Sequence, residues 1–457
     1  MLGATTNWGI QALNFFGLTL GLLVGVKRVI SWRTKRIENR FGDVFRSGKC
    51  IRLVLFGIGF ILVYVLCSVI NPRAVLEYTY SPGSVQATGV EITDFEPIQW
   101  LPRSYDASRS FRAFLKYLSL SCVFIAIRDW LLTCSTQVPS SQVSAGVFPS
   151  RNVELLLWSM SISSAALALV GMLQRLDGTD NLLWVFENHL NGGRGAFGPF
   201  PYQSNAAQFL NLMWPVMLGF WWVLRQRNQA QRRSQQKFGS GSHVMILVFT
   251  VLTAAAVVLT QSKVGAVILV GQMIGVLMFL VLGIRRQSTV KVTVSILMVA
   301  VLGVGGWLGG RTLTERFLSA DLENLSGRKL IYRDAVRMVE DFKLFGSGAE
   351  TFAPLYFFYR NENPSWDAYV HNDYLETLIT FGWLGLSVII LTFILIWLGP
   401  IFDNGIPAPP EFIVLIGVAM TGLMAHARYD LPFQIYSLHF EFVVLCALVT
   451  CLKWERR

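Results

Sequence analysis

The chain has 457 residues and a formal net charge of +11, with 53% hydrophobic and only 15% charged residues. A soluble domain carries about 25% charged residues, so this chain lacks the polar side chains that cover a water-facing surface. The composition therefore excludes a soluble multidomain enzyme, a disordered chain and a secreted disulfide scaffold, and it indicates an all-α polytopic membrane protein.

Eleven apolar runs are long enough to cross a bilayer, because a membrane-spanning helix needs about 20 residues. In chain order their approximate bounds are 8–26, 51–70, 113–134, 152–174, 203–224, 244–261, 264–284, 291–310, 374–400, 411–427 and 434–452. The third run is the weakest, because an Arg-Asp pair at 128–129 interrupts it. Glycine pairs such as Gly271/Gly275 and Gly305/Gly309 fit close packing between helices. We predict about eleven transmembrane helices.

Basic residues predict the orientation, because Lys and Arg are enriched in cytoplasmic loops. They concentrate in segments 27–52 and 225–243, between the seventh and eighth spans, and at the carboxyl terminus. Eleven spans place all four regions in the cytoplasm and leave loops 71–112, 175–202 and 311–373 outside. Apolar side chains lie among the charges of residues 27–52, so we expect this segment to contact anionic membrane lipid and not nucleic acid.

The long outer loop 311–373 contains a predicted short helix. The helix begins after Ser326-Gly327, apolar residues recur at three- and four-residue spacing as far as Phe342, and Phe345-Gly-Ser-Gly348 follows it. Arg333 lies on another face of this helix. We expect a small docked element that is too short to fold as an independent domain.

Two basic residues lie where spans meet the outer face. Glycines flank Arg194, which allows its guanidinium to project toward a phosphate group and bind two oxygens. Lys263 lies between two nearly continuous spans, at the hydrocarbon boundary, where a charge is costly and often functional. The alternatives are an incidental arginine in a turn and a lysine that extends to the lipid headgroups.

Two further outer positions carry ionisable residues. His371 opens the segment His-Asn-Asp-Tyr-Leu-Glu at the head of a span, and imidazole exchanges protons near neutral pH. Arg428 and Asp430 lie in the last outer hairpin. A purely structural histidine, and an Arg428–Asp430 pair, remain open as alternatives.

The predicted topology brings basic residues and one histidine from four separate segments to the same membrane face. These residues are Arg194, Lys263, Arg328, Arg333, His371 and Arg428. A cationic pocket with a proton acceptor suits glycosyl transfer from a polyprenyl diphosphate, because cations stabilise the leaving diphosphate and a base deprotonates the attacking hydroxyl. This face carries no Asp-rich DxD motif, so we expect no metal and no cofactor.

Three stretches resemble the bacterial O-antigen ligase and O-antigen polymerase superfamily. The segment Arg-Gly-Ala-Phe…Asn-Ala-Ala-Gln-Phe at 194–209 is similar to the family's Arg-Gly-x-Phe…Asn-x-x-Ala pattern. Thr-Gln-Ser-Lys-Val-Gly at 260–265 is similar to its Thr-x-Ser-Arg-Gly pattern. The third stretch resembles the family's long outer loop and following helix, from Ser-Gly-Arg at 326–328 through Phe-Gly-Ser-Gly at 345–348 to 371–385.

The resemblance implies a metal-independent, inverting membrane glycosyltransferase of the GT-C class that uses an undecaprenyl-diphosphate-linked glycan. It implies catalysis by His371 and diphosphate binding by Arg194 and Lys263. Lys263 replaces the family's usual Arg, which keeps the charge and loses the two-pronged geometry. To the diphosphate-binding set we add Arg328 and Arg428, and as residues that contact substrate we expect Asn205, Arg333, Asn372 and Tyr374.

The resemblance also implies the organisation and partners of the chain. We expect N-terminal membrane helices in 1–150, with the basic cytoplasmic segment and loop 71–112, and a ligase- or polymerase-like domain in 151–457 that includes loop 311–373. The expected location is the bacterial inner membrane, with the active site on the periplasmic face. The acceptor would be a lipid A core or a growing polysaccharide, and a protein hydroxyl is an alternative.

A transporter or flippase of lipid-linked sugars is the competing function. Such a protein needs charges along a central pathway, and mid-span charges are scarce in this sequence. A purely structural membrane subunit is the remaining alternative.

Overall fold

The computed structural model describes residues 7–33, 48–80, 87–133, 148, 150–188, 195–233, 241–283, 288–318, 322–361 and 368–455. Most of the basic segment predicted at 27–52 falls at 34–47, outside the described residues.

Helices dominate the described part of the chain. They are α1 (Asn7–Arg33), α2 (Lys49–Ile70), α3 (Ala107–Thr133), α4 (Arg151–Asp177), α5 (Gln203–Arg233), α6 (Ser242–Leu259), α7 (Lys263–Gly283), α8 (Ser288–Leu318), α9 (Leu322–Asp341), α10 (Phe352–Tyr359), α11 (Asp373–Phe402), α12 (Pro410–Ala427) and α13 (Tyr436–Cys451). The strands are β1 (Ala74–Tyr80), β2 (Ala87–Asp94), β3 (Ile406–Ala408) and β4 (Leu452–Trp454). Strands β1 and β2 form an antiparallel hairpin, and β3 pairs with β4 in parallel.

All eleven predicted spans are helical. Ten described helices, α1 to α8, α11 and α12, are long and apolar enough to cross a membrane. The last predicted span is the shorter apolar helix α13, of 16 residues. The protein is therefore an all-α polytopic membrane protein, as the composition indicates.

The charged pair in the third span is satisfied by neighbouring helices. Arg128 is only 1% exposed and donates a hydrogen bond to the carbonyl oxygen of Thr450 in α13. Asp129 accepts from Lys27 Nζ of α1 at 2.6 Å. Paired charges are tolerated between helices, so the interruption does not break the span.

Helix α5 lies at the centre of the helix bundle. Its apolar window is entirely buried, and Trp214, Phe220 and Trp222 are among its buried side chains. Its first three turns carry buried polar residues, which are Gln203, Ser204, Asn205, Gln208 and Asn211. A polar face is costly in the middle of a bundle, so this end of α5 is a candidate for function.

Helices α9 and α10 lie beside the head of α11, and we call this end of the bundle the loop end. The predicted apolar face of α9 is buried, and its members, including Ile331, Met338 and Phe342, cluster with Phe352 of α10 and Ile379 of α11. The predicted docked helix is therefore present, although it begins at Leu322, before Ser326.

A break in α11 holds the turn after α9. Gly382 has φ 63°, and a Cβ atom there would lie 2.3 Å from the carbonyl oxygen of Leu344. The amide of Trp383, freed by this break, donates to the carbonyl oxygen of Lys343 at 2.8 Å. This contact fixes α9 against α11 and hence against the residues that precede α11.

Candidate functional site

His371 precedes α11 in the left-handed region, with φ 57°. Its side chain is 29% exposed, and its Nδ1 lies 3.4 Å from Oδ1 of Asp430, a residue that is 2% exposed. The Tyr332 hydroxyl of α9 donates to the His371 carbonyl oxygen at 3.1 Å. The docked helix and the α12–α13 connection thus both hold this histidine, and one edge of its imidazole stays accessible.

Asp430 is the centre of a buried group of polar side chains. Ser204 Oγ of α5 donates to Asp430 Oδ2 at 2.5 Å. Ser204 Oγ also lies 3.3 Å from Nε2 of His426 and 3.5 Å from Oγ of Ser262. We call these residues the His371 network; they are His371, Asp430, Ser204, His426 and Ser262.

Hydrogen bonding keeps Asp430 ionised. Burial alone would raise the pKa of its carboxyl group, but the hydrogen bond from His371, the nearby His426 and the hydrogen bond from Ser204 together hold that pKa below its usual value. An ionised carboxylate only accepts hydrogen bonds, so His371 must donate from Nδ1. In the neutral imidazole with this tautomer, Nε2 carries the lone pair that can accept a proton from a bound molecule.

Two arginines act electrostatically on Tyr202, the residue two positions before Ser204. Burial and the nearby Asp430 raise the pKa of Tyr202, whereas Arg328, a hydrogen bond with Ser204 and Arg316 lower it; the pKa that results is about 12. Arg328 Nη1 of α9 donates to the Tyr429 carbonyl oxygen at 3.3 Å, and Arg316 Nη1 of α8 donates to that of Gln261 at 3.1 Å. The loop end therefore combines positive charge with the His371 network.

A third arginine, Arg428, acts on Tyr332 of α9 at the loop end. Burial raises the pKa of Tyr332, whereas Arg328 and Arg428 lower it. The Arg428 guanidinium is exposed and lies 5.9 Å from the ring centroid of its neighbour Tyr429. Asp430 instead contacts His371 and Ser204, so the two charged residues of this hairpin have different surroundings.

The remaining predicted cations are Arg194, Lys263 and Arg333, and they lie in different parts of the chain. Arg194 lies outside the described residues. Its successor Gly195 donates its amide to Asp180 Oδ1 at 3.4 Å, which holds the following segment against the end of α4. Lys263 begins α7, directly after Ser262 of the His371 network. Arg333 is exposed on α9 and forms an ion pair with Asp334 at 3.6 Å.

Three residues predicted to contact substrate, Asn205, Asn372 and Tyr374, lie in the described part of the chain. Asn205 follows Ser204 and is buried, and its Oδ1 has no hydrogen-bond partner among the described residues. Asn372 caps α11 by accepting from the Leu375 amide at 3.4 Å. The Tyr374 hydroxyl donates to the Met424 carbonyl oxygen at 2.8 Å and joins α11 to α12. Among these three, Asn205 has the acceptor atom best suited to a bound hydroxyl group.

The sequence interpretation did not assign several residues that the structure brings here. Ser204 adjoins Asn205, in the stretch 194–209 that resembles the family pattern. A polar residue within an apolar span was the sequence feature that could have identified it. Arg316 lies beyond the predicted end of the eighth span, at residue 310. Arg175 at the end of α4 has two buried guanidinium nitrogens without hydrogen-bond partners among the described residues, and Asp180 and Arg316 are the charged groups that act on it.

The comparison with protein families agrees with the resemblance. Residues 248–390 match the model of a family described as O-antigen ligase. The matched region includes Lys263, Arg316, Arg328 and His371, and it ends before Asp430. No curated protein matches the chain. The family match confirms the predicted resemblance to the O-antigen ligase and polymerase superfamily.

Proposed function

Because residues 248–390 carry the sequence features of an O-antigen ligase, we propose that this protein transfers a glycan from undecaprenyl diphosphate to a hydroxyl group of an acceptor glycan. The family match supports ligase- or polymerase-like glycosyl transfer in general. The observation that carries the specific chemistry is the pairing of His371 with the ionised Asp430 beside Arg316, Arg328 and Arg428.

In the proposed reaction His371 is the general base. Its Nε2 takes the proton of the acceptor hydroxyl, and the Asp430 carboxylate stabilises the resulting imidazolium ion. The acceptor oxygen bonds to the anomeric carbon from the face opposite the diphosphate. The bond from that carbon to the diphosphate oxygen breaks, and its electron pair leaves with the diphosphate. The anomeric configuration is therefore inverted.

The cations of the loop end stabilise the departing diphosphate. Arg328 and Arg428 act with Lys263 and Arg194, as the sequence predicts, and we add Arg316 of α8, which donates a hydrogen bond to the Gln261 carbonyl oxygen next to Ser262. Fixed cations stabilise a leaving group whose negative charge grows in the transition state. They would supply the charge neutralisation that a divalent metal supplies in other enzymes.

The proposed location and acceptors follow from this chemistry. The loop end would face the periplasm of a bacterial inner membrane, where a lipid A core or a growing polysaccharide supplies the acceptor hydroxyl; a protein hydroxyl remains the alternative. Residues 151–457 would form the catalytic part. The helices within 1–150 would support it, as the hydrogen bond from Tyr64 to the Phe345 carbonyl oxygen at 2.7 Å indicates.

The direct test uses purified protein, an undecaprenyl-diphosphate-linked oligosaccharide and candidate acceptors. We expect an acceptor carrying the glycan with an inverted anomeric linkage, read by NMR spectroscopy. One transfer per acceptor indicates a ligase, and a ladder of repeat units indicates a polymerase. Movement of the lipid-linked sugar across liposomes without bond formation would instead support the flippase and contradict this proposal.

A further inference from the structure

An open groove lies between α7 and α12 on the lipid side of the bundle. Its volume is about 630 Å³. Val267 and Ala425 line one end, Gly275 and Val414 line the deeper end, and small residues such as Gly271 lie between them. The groove is therefore a cavity between two spanning helices.

Gly271 and Gly275 of α7 do not serve helix packing. The sequence suggests the same packing role for Gly271/Gly275 and Gly305/Gly309, but only the second pair has it. A Cβ atom at Gly305 would lie 2.9 Å from a Val258 methyl group, whereas one at Gly271 or Gly275 would meet no atom within 4 Å. Because glycine has no side chain, Gly271 and Gly275 leave open space beside α7.

The floor of the groove is fixed by hydrogen bonds. Gln272 Nε2 donates to the carbonyl oxygens of Asn211 at 3.0 Å and Val418 at 3.2 Å, and Gln272 Oε1 accepts from Trp214 Nε1 at 2.9 Å. A Cβ atom at Gly422 would lie 2.1 Å from the Gln272 amide nitrogen. These bonds join α5, α7 and α12, so the groove does not close by collapse of the helices.

The end of the groove at the loop end is flanked by cations. Lys263 lies one helical turn before Val267 on α7, and Arg428 follows Ala425 by three residues. From Lys263 to Gly275 the helix rises by about 18 Å, more than half of the roughly 30 Å hydrocarbon core. Val267 and Ile274 are exposed, so α7 borders the lipid and the groove is open to lateral access.

We propose that this groove binds the isoprenoid chain of the polyprenyl diphosphate donor, with the diphosphate held between Lys263 and Arg428. This inference rests on the proposed function. Charge selects the occupant: a diphosphate carries more negative charge than the single phosphate of a membrane phospholipid, and two cations flank the groove where it meets the loop end. The branched apolar chain fills the space that Gly271 and Gly275 leave open.

The test places a bulky side chain in the groove. Gly271→Leu and Gly275→Leu extend into open space without a backbone clash. Gly303→Leu is the matched control, because a Cβ atom at Gly303 on α8 also meets nothing within 4 Å and Gly303 does not line the groove. The probe is radiolabelled undecaprenyl diphosphate, bound to each protein in nanodiscs, with thermal unfolding as the check that every variant is folded.

We expect undecaprenyl diphosphate to bind at least tenfold more weakly to Gly271→Leu and Gly275→Leu, and competition by inorganic pyrophosphate to stay unchanged. Gly303→Leu should bind like the wild type. Equal affinity in all four proteins would overturn the groove assignment, as would a phospholipid that undecaprenyl diphosphate fails to displace. The binding measurement does not depend on transfer. If the groove variants bind undecaprenyl diphosphate more weakly and the wild type shows no transfer, the proposed function is wrong and the groove assignment stands. If both groove variants transfer the glycan with an unchanged KM for the donor, the groove assignment is wrong and the proposed function stands.

Discussion

The Ser204 hydroxyl on α5 donates a hydrogen bond to Oδ2 of Asp430, 2.5 Å away and 226 residues later in the chain. The other carboxylate oxygen of Asp430 contacts His371. Among the described residues, Asp430 is therefore the link through which Ser204 acts on His371. In the proposed reaction it is a positioning residue, which sets the orientation of the base without touching the acceptor.

Replacing Ser204 by Ala should lower kcat about tenfold and leave KM for the donor unchanged. The reason is that His371 keeps its chemistry and loses part of its orientation, which is a fraction of the 10²–10⁴-fold effect of a general base. Ser204→Thr, which keeps the hydroxyl, should restore most of the rate. Ser164→Ala is the control, because the buried Ser164 hydroxyl donates to the Met160 carbonyl oxygen within its own helix α4. A rise in KM with unchanged kcat would contradict the positioning role.

The depressed pKa of Asp430 predicts a specific loss of stability in acid. Its pKa in the folded protein lies below the unfolded value of about 3.9, so the ionised form favours the folded state. This contribution is complete above that value and is lost as the pH falls through the folded pKa. Thermal unfolding in detergent should show the wild type losing stability below about pH 4 and Asp430→Asn losing less. Parallel curves for the two proteins would show that Asp430 does not contribute.

Tyr202 should stay protonated throughout the range in which the enzyme is assayed. Burial raises its pKa to about 12, so the phenol does not titrate between pH 6 and 10. Tyr202→Phe should therefore leave the alkaline side of the pH–rate profile where it is, even if the rate falls. A shift of the alkaline side by one pH unit would show that the Tyr202 phenolate takes part in the reaction.

Arg316 should contribute to catalysis although it lies outside the predicted set. We expect Arg316→Ala to lower kcat/KM for the donor by about 10- to 100-fold, because a cation near the leaving diphosphate is lost. Arg316→Lys should lose less. Arg311→Ala is the matched control on the same helix, since Arg311 is 93% exposed and pairs with Glu315 one turn away. Equal effects at the two positions would remove Arg316 from the site.

Local pattern was sufficient to predict the spans and the docked helix. Apolar runs of about 20 residues fold as helices in lipid whatever their neighbours, and the spacing that ends at Phe342 reports a buried face directly. The eighth span shows the limit of this approach. Hydropathy falls after residue 310, but α8 continues to Leu318 and carries Arg316 to the site.

Contacts between distant segments could not be predicted from local sequence patterns. His371 and several cations could be named as candidates because each is conspicuous in its own segment. The link from Ser204 to Asp430 joins residues 226 positions apart, and nothing local distinguishes an Asp that pairs with Arg428 from one that pairs with His371. The open space beside Gly271 likewise depends on how α12 crosses α7, which no single helix encodes.

In the proposed reaction His371 is the base that activates the acceptor hydroxyl. The most direct measurement is the single-turnover transfer rate of His371→Ala, with His243→Ala as control; His243 lies near the start of α6 and contacts Asn228 at 2.9 Å. We predict that His371→Ala transfers at least 100-fold more slowly, that it binds undecaprenyl diphosphate like the wild type, and that His243→Ala is unaffected. Transfer by His371→Ala at the wild-type rate would contradict the mechanism.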